Sequence, residues 1–168
     1  MAVERDISDF VKSVEKTIDE SLSRKQLTEL GNAAITIIVK RTKKGFGVRK
    51  TGQIGGARKR LKRLAKSTIE RRKRFSGLAS DTSPARSNLT FTGQLLDSLK
   101  VKKISARKKS FVISPEGKRK GSSLANFEVA EFVDENGRPF LGFSNKDLQE
   151  VLKLYQSNFA RLVRKRLT

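Results

Sequence analysis

Basic residues are concentrated in two internal segments of this 168-residue chain, and this distribution limits where a hydrophobic core can form. Residues 40–74 contain sixteen lysines and arginines and one acidic residue, and residues 100–120 have a net charge of +8. Like charges at this density repel one another when they are packed closely. The two ends of the chain, by contrast, have the composition of ordinary folded protein.

The composition favours one folded domain that carries a basic arm. Leu, Ile, Val and Phe make up about 28% of the residues, above the ~20% below which a strongly charged chain is usually disordered. A length of 168 residues suits a single domain. We therefore predict one domain over residues 1–168, with residues 40–88 inserted as a basic loop or arm that contains glycine and serine.

Hydrophobic periodicity predicts long helices near both ends of the chain. Apolar residues recur every three or four positions over residues 7–22 and again over residues 27–38. Ser23 and Gln26 are spaced as a capping box that would open a second helix, and the alternative is that the first helix continues. A third stripe runs from Leu148 to Val163, after Ser144 or Asn145 as the cap.

Shorter elements are predicted between these helices. Residues 44–56 suggest an irregular or mobile loop, residues 57–75 can form a helix, residues 76–88 form a linker, and residues 93–99 form a short helix that Thr90 or Thr92 caps. Strands are predicted at residues 100–104 and 110–114, joined by a basic turn, and at residues 126–133. The fold class is therefore α+β: a small antiparallel sheet packed with long N- and C-terminal helices, and a basic extended loop.

Catalysis is not expected. The chain has no Cys and no His, which excludes disulfides, thiol nucleophiles, Ser-His-Asp triads and the common zinc sites. The acidic residues, such as Asp147 and Glu150, are dispersed in positions that suit capping and solvation. Paired carboxylates for metal-assisted nuclease chemistry are the remaining catalytic alternative. We predict no catalytic residue, no metal ligand, no cofactor and no enzymatic activity.

The glycines and apolar runs also exclude two common partners. The segment Gly45–Gly56 lacks the order of a phosphate-binding loop, so a nucleotide site is not expected. The longest apolar run, Ala33–Val39, is far shorter than a membrane span. No membrane partner is predicted.

The net charge of +21 indicates a polyanionic partner, most often nucleic acid. Residues 40–74 have only Phe46 and Phe75 as aromatics, so contact with the phosphate backbone is favoured over base stacking. An acidic protein surface and a merely solvated face are the alternatives. The candidate contact residues are Lys40, Arg41, Lys43, Lys44, Arg49, Lys50, Arg58, Lys59, Arg60, Lys62, Arg63, Arg71, Arg72, Lys73, Arg74, Arg107, Lys108 and Lys109.

Four segments resemble the tail-completion, or virion-morphogenesis, proteins of tailed bacteriophages. Residues 33–42, followed by Gly45, resemble the first long helix of that family and the loop after it. Residues 64–72 (LAKSTIERR), 87–99 (SNLTFTGQLLDSL) and 138–144 (RPFLGFS) resemble three of its sequence signatures. The residues that match these signatures as scaffold are Thr68, Arg72, Leu89, Thr92, Gly93, Leu96, Ser98, Arg138, Pro139, Phe140, Leu141 and Gly142.

The resemblance implies a structural virion protein of the phage neck or proximal tail. Such a protein forms a homo-oligomeric ring, with six copies expected from tail symmetry, between the head connector or adaptor and the tail terminator or tube proteins. Its basic segments would face packaged double-stranded DNA or an acidic neighbour, and it would reside in the host cytoplasm before assembly. A soluble nonspecific nucleic-acid-binding protein, associated with ribosomes or the nucleoid, is the alternative.

Overall fold

The computed structural model describes residues 22–75, 83–87, 89 and 92–167 together with Lys16, and side chains as far as Arg164. The helix predicted over residues 7–22 and most of the linker predicted over residues 76–88 lie outside these ranges. The described helices are α1 (Arg24–Lys43), α2 (Lys66–Arg74), α3 (Gln94–Asp97), α4 (Asn126–Glu135) and α5 (Asn145–Leu167). The described strands are β1 (Phe46–Gly47), β2 (Gln53–Ile54), β3 (Lys59–Arg60), β4 (Leu99–Ser105), β5 (Ser110–Pro115) and β6 (Gly142–Phe143). The predicted α+β class is confirmed.

Helix α1 begins where the capping box predicts it. The Gln26 amide donates to the Ser23 hydroxyl at 3.4 Å, which satisfies one of the free N–H groups of the first turn. Its buried side chains, including Leu27, Leu30 and Ile38, recur at helical spacing and face the core. Basic residues in the last turn complement the helix dipole.

The strands form three separate two-stranded pairs in the described part of the chain. The predicted hairpin is confirmed, because β4 and β5 pair antiparallel around the basic turn. Strands β1 and β3 pair antiparallel, but β2 and β6 pair parallel, with Gln53 opposite Gly142. The single small antiparallel sheet predicted from the sequence is therefore replaced by these three pairs.

The core lies between α1, α3, β4 and α4, around Ile38, Leu96, Leu99, Ala130 and Phe140. Helix α1 packs directly on β4, and a Cβ built on Gly31 would lie 2.6 Å from Val101 Cγ2. Strand β4 therefore runs from the cluster around Ile38 towards the N-terminal half of α1. The turn between β4 and β5 consequently lies near the N-terminus of that helix.

The strand predicted over residues 126–133 is wrong, because these residues form helix α4. The Ala125 amide donates to Glu128 Oε2 at 2.6 Å and caps the first turn. Ala130 is buried, whereas Phe127 and Phe132 are 51% and 64% exposed. The alternation of apolar residues that suggested a strand thus came from two phenylalanines that lie outside the core.

Two helix boundaries also differ from the sequence predictions. The helix predicted over residues 57–75 is limited to α2, and Lys59 and Arg60 pair with β1 instead. Gly93, at a φ of +78°, occupies the N-cap of α3, so Thr92 is not the cap, and Thr90 lies outside the described residues. A positive φ costs glycine little, which explains its place at this sharp turn. None of the described helices has the length and apolarity needed to cross a lipid bilayer.

Candidate nucleic-acid interface

The glycine-containing segment 44–56 is docked against residues 139–145 by a ladder of backbone hydrogen bonds. The amides of Val48, Gly52 and Gly55 donate to the carbonyls of Pro139, Leu141 and Phe143, at 3.0, 2.8 and 2.8 Å. Gly47 permits this approach, because a Cβ there would lie 2.1 Å from the Pro139 carbonyl oxygen. The segment is therefore hydrogen-bonded at several points, and apart from the two-residue strands β1 and β2 its backbone is irregular, as one of the two predicted alternatives has it.

Arg41 binds residues 139–145 from the opposite side. Its side chain is fully buried and comes from the last turn of α1. Its Nη1 donates to the Gly142 carbonyl at 3.0 Å, and its Nη2 donates to the Phe140 carbonyl. Arg41 therefore positions the residues of the RPFLGFS segment from inside the protein.

Asp147 is the carboxylate that joins these elements. It is fully buried in the first turn of α5 and accepts hydrogen bonds from Arg41 Nη1 at 2.5 Å and Arg58 Nη2 at 2.6 Å. The Ser144 amide and hydroxyl donate to its Oδ2 at 2.8 and 2.7 Å. Glu150 extends the cluster with a bond to Arg58 at 3.2 Å. Asp147 thus links α1, the approach to β3 and the start of α5.

The hydrogen bonds keep this buried carboxylate ionised. Burial alone raises the pKa of Asp147, but the donors of Ser144 and Arg58 and the charge of Arg41 outweigh it, and the pKa is lowered from its usual value. Burial lowers the pKa of Arg41, and Asp147 opposes that change. With Glu150 included, the two arginines of the cluster face two carboxylates.

A basic surface lies over this anchor. The pairing of β1 with β3 brings Lys44 and Arg49 beside residues 59–63, and the Leu61 amide donates to the Gly45 carbonyl at 2.9 Å. The Arg60 guanidinium lies 5.6 Å from the centre of the Phe46 ring, a cation–π contact that orients it. The buried backbone contacts therefore hold a group of exposed cations in a defined arrangement.

A groove of about 560 Å³ runs between this strand pair and α2. Its walls contain Lys44, Arg60, Arg63 and Arg86, together with Phe46 and other apolar residues, and no acidic side chain among the described residues lines it. A cleft with one sign of charge focuses the field and attracts a polyanion. The groove is the part of the surface best shaped for a phosphate backbone or an acidic chain.

Most of the predicted contact residues are exposed, and four are not. The exposed ones are Lys40, Lys44, Arg49, Lys50, Lys59, Arg60, Lys62, Arg63, Arg71, Lys73, Arg74, Arg107, Lys108 and Lys109. Lys43 and Arg58 are half-buried, and Arg58 binds Asp147. Arg41 and Arg72 are corrected here, because they are 2% and 3% exposed and bind internal oxygens. Neither guanidinium is available to a partner.

The exposed cations form two surfaces. The turn that carries Arg107, Lys108 and Lys109 lies towards the N-terminus of α1, whereas Lys40 and the β1–β3 pair lie at its C-terminus. A 20-residue helix is about 30 Å long. The two basic segments of the sequence are therefore separated, and a single partner must be extended to touch both.

Of the twelve scaffold residues of the resemblance, four are buried, seven are half-buried and Thr68 is exposed. Phe140 and Leu96 are 1% exposed, Pro139 is buried, and Leu141 and Gly142 are half-buried in the docked ladder. The Ser98 hydroxyl donates to the Leu95 carbonyl at 2.8 Å, next to α3 and its Gly93 cap. The remaining members surround one cavity, namely Thr68, Arg72, Leu89, Thr92 and Arg138.

The sequence predicts capping and solvation for Asp147 and gives no sign of its burial or of its bonds to two arginines. Capping is confirmed, but the side chain is fully buried. The Ser144-x-x-Asp147 spacing signals the cap, and nothing local signals the two arginines that are distant in sequence. The part of the chain that the structure describes holds no cluster of three side chains suited to a metal ion.

Comparisons of the chain with protein-family models, with curated proteins and with solved structures found no match.

Proposed function

We propose that this chain is a structural virion protein of the neck or proximal tail of a tailed phage. Copies of it would form a ring, expected to be sixfold, that completes the tail and joins it to the head connector or adaptor. The ring would also contact the tail terminator or tube proteins. Its basic surfaces would face packaged DNA or an acidic neighbour, and it would carry no catalytic activity.

The observation that carries this proposal is that buried contacts hold the basic surface in a fixed shape. The carboxylate of Asp147, the side chain of Arg41 and the backbone ladder hold residues 44–60 in one shape, while the surrounding lysines and arginines stay exposed. A surface fixed before binding loses less conformational entropy when a partner docks. Such an arrangement suits a permanent contact in an assembly.

Exposed apolar side chains support contacts between copies. Ile54 is 79% exposed, Phe132 64% and Leu152 52%, on three different elements. Large apolar side chains in water favour burial at a protein interface. A ring needs two unlike contact surfaces on each copy, and apolar positions spread over β2, α4 and α5 are compatible with that geometry.

The resemblance supports the same assignment through the roles of its residues. The RPFLGFS segment accepts the ladder from the glycine-containing segment and begins α5 at Ser144. The backbone of this segment therefore helps to hold the shape of the basic surface. This is the kind of role expected of signature residues in a structural protein.

A soluble nonspecific nucleic-acid-binding protein is the second candidate. The basic groove beside Arg60 and Arg63 favours it, because the groove alone can hold a phosphate backbone. The two candidates differ in the oligomeric state that they require.

Mass photometry and negative-stain electron microscopy of the purified chain test the choice. Closed rings with a central opening, formed alone or on duplex DNA, are expected for the neck protein. Immunogold labelling of particles from the phage that encodes the chain should then mark the head–tail junction. Monomers that coat DNA without closing, together with unlabelled particles, would instead favour the soluble DNA-binding protein.

A salt titration tests which basic surface binds DNA. The variant Lys59→Gln, Arg60→Gln, Lys62→Gln, Arg63→Gln removes four exposed cations, of which Arg60 and Arg63 line the groove, and Arg58 is retained because it binds Asp147. Each lost phosphate contact reduces the slope of log K against log salt by about 0.9, so the slope should flatten by up to roughly four units. Fluorescence anisotropy of a labelled duplex measures it.

The matched control removes cations at the far end of α1. Arg107→Gln, Lys108→Gln, Lys109→Gln changes the hairpin turn and leaves the groove intact. If the groove binds DNA, this variant should keep most of the original slope. A flattened slope in the turn variant alone would place the DNA at the hairpin. An unchanged slope in both would indicate that the groove contacts an acidic protein.

A further inference from the structure

A second concave site lies between α2, α3 and α4 and adjoins the groove, with which it shares Leu64 and Ser87. It is a cavity of about 190 Å³ whose apolar walls include Leu64, Leu89, Leu95, Val129 and Val133. An apolar cavity of about 150 Å³ can hold a benzene ring, and binding sites for larger ligands usually measure about 300–1,000 Å³. The cavity therefore matches a single aromatic or large aliphatic side chain.

Arginines surround the mouth of this cavity. Arg72, Arg119 and Arg138 belong to its lining, and an adjoining cleft of about 250 Å³ is formed by Thr68, Arg71, Arg72 and Arg119. Among the described residues, no acidic side chain lines either space. Apolar walls and cationic rim together select a ligand that carries an apolar group beside an anionic one.

Arg138, one of the arginines in the lining, is held by neutral groups. Arg138 donates from Nε to the Lys62 carbonyl at 3.2 Å and from Nη2 to the Arg63 carbonyl at 3.3 Å. Carbonyl dipoles fix the orientation of a guanidinium without cancelling its charge. Arg119 forms no ion pair with any described residue. The positive charge at the mouth is thus available to an external carboxylate.

Two buried polar atoms in the wall have no hydrogen-bond partner in the structure. They are Ser87 Oγ and Gln94 Oε1, and both residues line the cavity. An unsatisfied buried polar group costs about 1–3 kcal/mol. A ligand that brings N–H donors, as a peptide backbone does, would remove this cost.

We propose that this cavity binds a segment of a partner protein in which one large apolar side chain adjoins a carboxylate. The apolar side chain enters between Leu89 and Val133, the carboxylate meets Arg119 and Arg71, and backbone N–H groups reach Gln94. The site adjoins the groove through Leu64 and Ser87, but its lining is more apolar. It does not depend on contact with DNA.

The lining argues against nucleic acid as the occupant. Base stacking of a single strand uses aromatic side chains, and no aromatic side chain among the described residues lines this cavity. A phosphate backbone would occupy the arginine cleft and leave the apolar space empty. Charge complementarity and size together favour an acidic peptide with an apolar anchor.

Three acetylated, amidated tripeptides test the proposal: Glu-Phe-Asp, its charge-free form Gln-Phe-Asn, and its anchor-free form Glu-Ala-Asp. Binding to the full chain is measured by isothermal titration calorimetry and by NMR shifts of the Val and Leu methyl groups. Only Glu-Phe-Asp should bind below millimolar concentration and shift the methyl groups of Val129 and Val133. Losing either group should weaken binding at least about tenfold.

Arg119→Gln should weaken binding of Glu-Phe-Asp about tenfold, and the neighbouring exposed Lys120→Gln should change it less than twofold. Val133→Phe, which fills the cavity, should abolish binding while circular dichroism shows a folded protein. Equal binding of the charge-free peptide, no binding of any peptide, or an unaffected Arg119→Gln variant would overturn the proposal. So would tighter binding of decanoate, or displacement of the peptide by a DNA duplex.

Discussion

Replacing Asp147 by asparagine should be among the most destabilising single changes in this chain. The amide keeps the size of the side chain and removes its charge. The guanidinium of Arg41 has no exposure to water and would lose its anion. Arg58 would keep only the bond to Glu150 at 3.2 Å, which is partly exposed.

The magnitude follows from the burial of the pair. Breaking a buried ion pair by removing one partner typically costs about 3–5 kcal/mol, because the remaining charge is left in a poorly solvated site. Native domains have a total stability of about 5–15 kcal/mol, so this is a large fraction. A domain of this size loses about 2–4 °C of Tm for each kcal/mol. We therefore expect Tm to fall by about 6–20 °C.

Thermal and urea unfolding followed by circular dichroism measure this loss, and Glu150→Gln is the matched control. Glu150 binds the same Arg58 but has a side chain that is 45% exposed, so its loss should cost at most about 1 kcal/mol. Equal Tm values for the two variants would refute the argument that burial makes Asp147 the anchor. A large loss in Asp147→Asn together with weaker DNA binding would connect the anchor to the basic surface.

Two further predictions concern the charge of Asp147 and the packing of α1 against β4. The pKa of Asp147 is lowered in the folded state, so the stability that its charge contributes is complete above the unfolded pKa of about 3.9 and is lost as pH falls through the folded pKa. The difference in Tm between the original chain and Asp147→Asn should therefore narrow below about pH 4. A difference that stays constant down to about pH 2 would contradict this. Gly31→Ala should destabilise the chain by about 1–3 kcal/mol, because the added Cβ would lie 2.6 Å from Val101 Cγ2. In a Val101→Ala background the same change should stabilise α1 by up to about 1 kcal/mol, because alanine has a higher helix propensity than glycine. A double-mutant cycle that shows no coupling between the two positions would refute the contact.

Local sequence signals determined the elements that do not depend on distant residues. Helix α1, the start of α5 at Ser144 and the β4–β5 hairpin follow from apolar spacing, caps and a basic turn. The exposure of most lysines and arginines follows from the cost of removing a charge from water. These features could be predicted because each depends on a few neighbouring residues.

Tertiary contacts decided the rest. Asn126–Glu135 became a helix because Ala130 and its neighbours on that face meet the core, whereas the exposed phenylalanines had suggested a strand. The glycine-containing segment gained its order from residues 139–145, about ninety positions away. Arg41 resembles its basic neighbours in the sequence, but in the fold it is buried and hydrogen-bonded to Asp147, which lies 106 residues further along the chain. The composition determines how many cations the chain carries. Which of them are buried depends on the oppositely charged or polar groups that folding brings close.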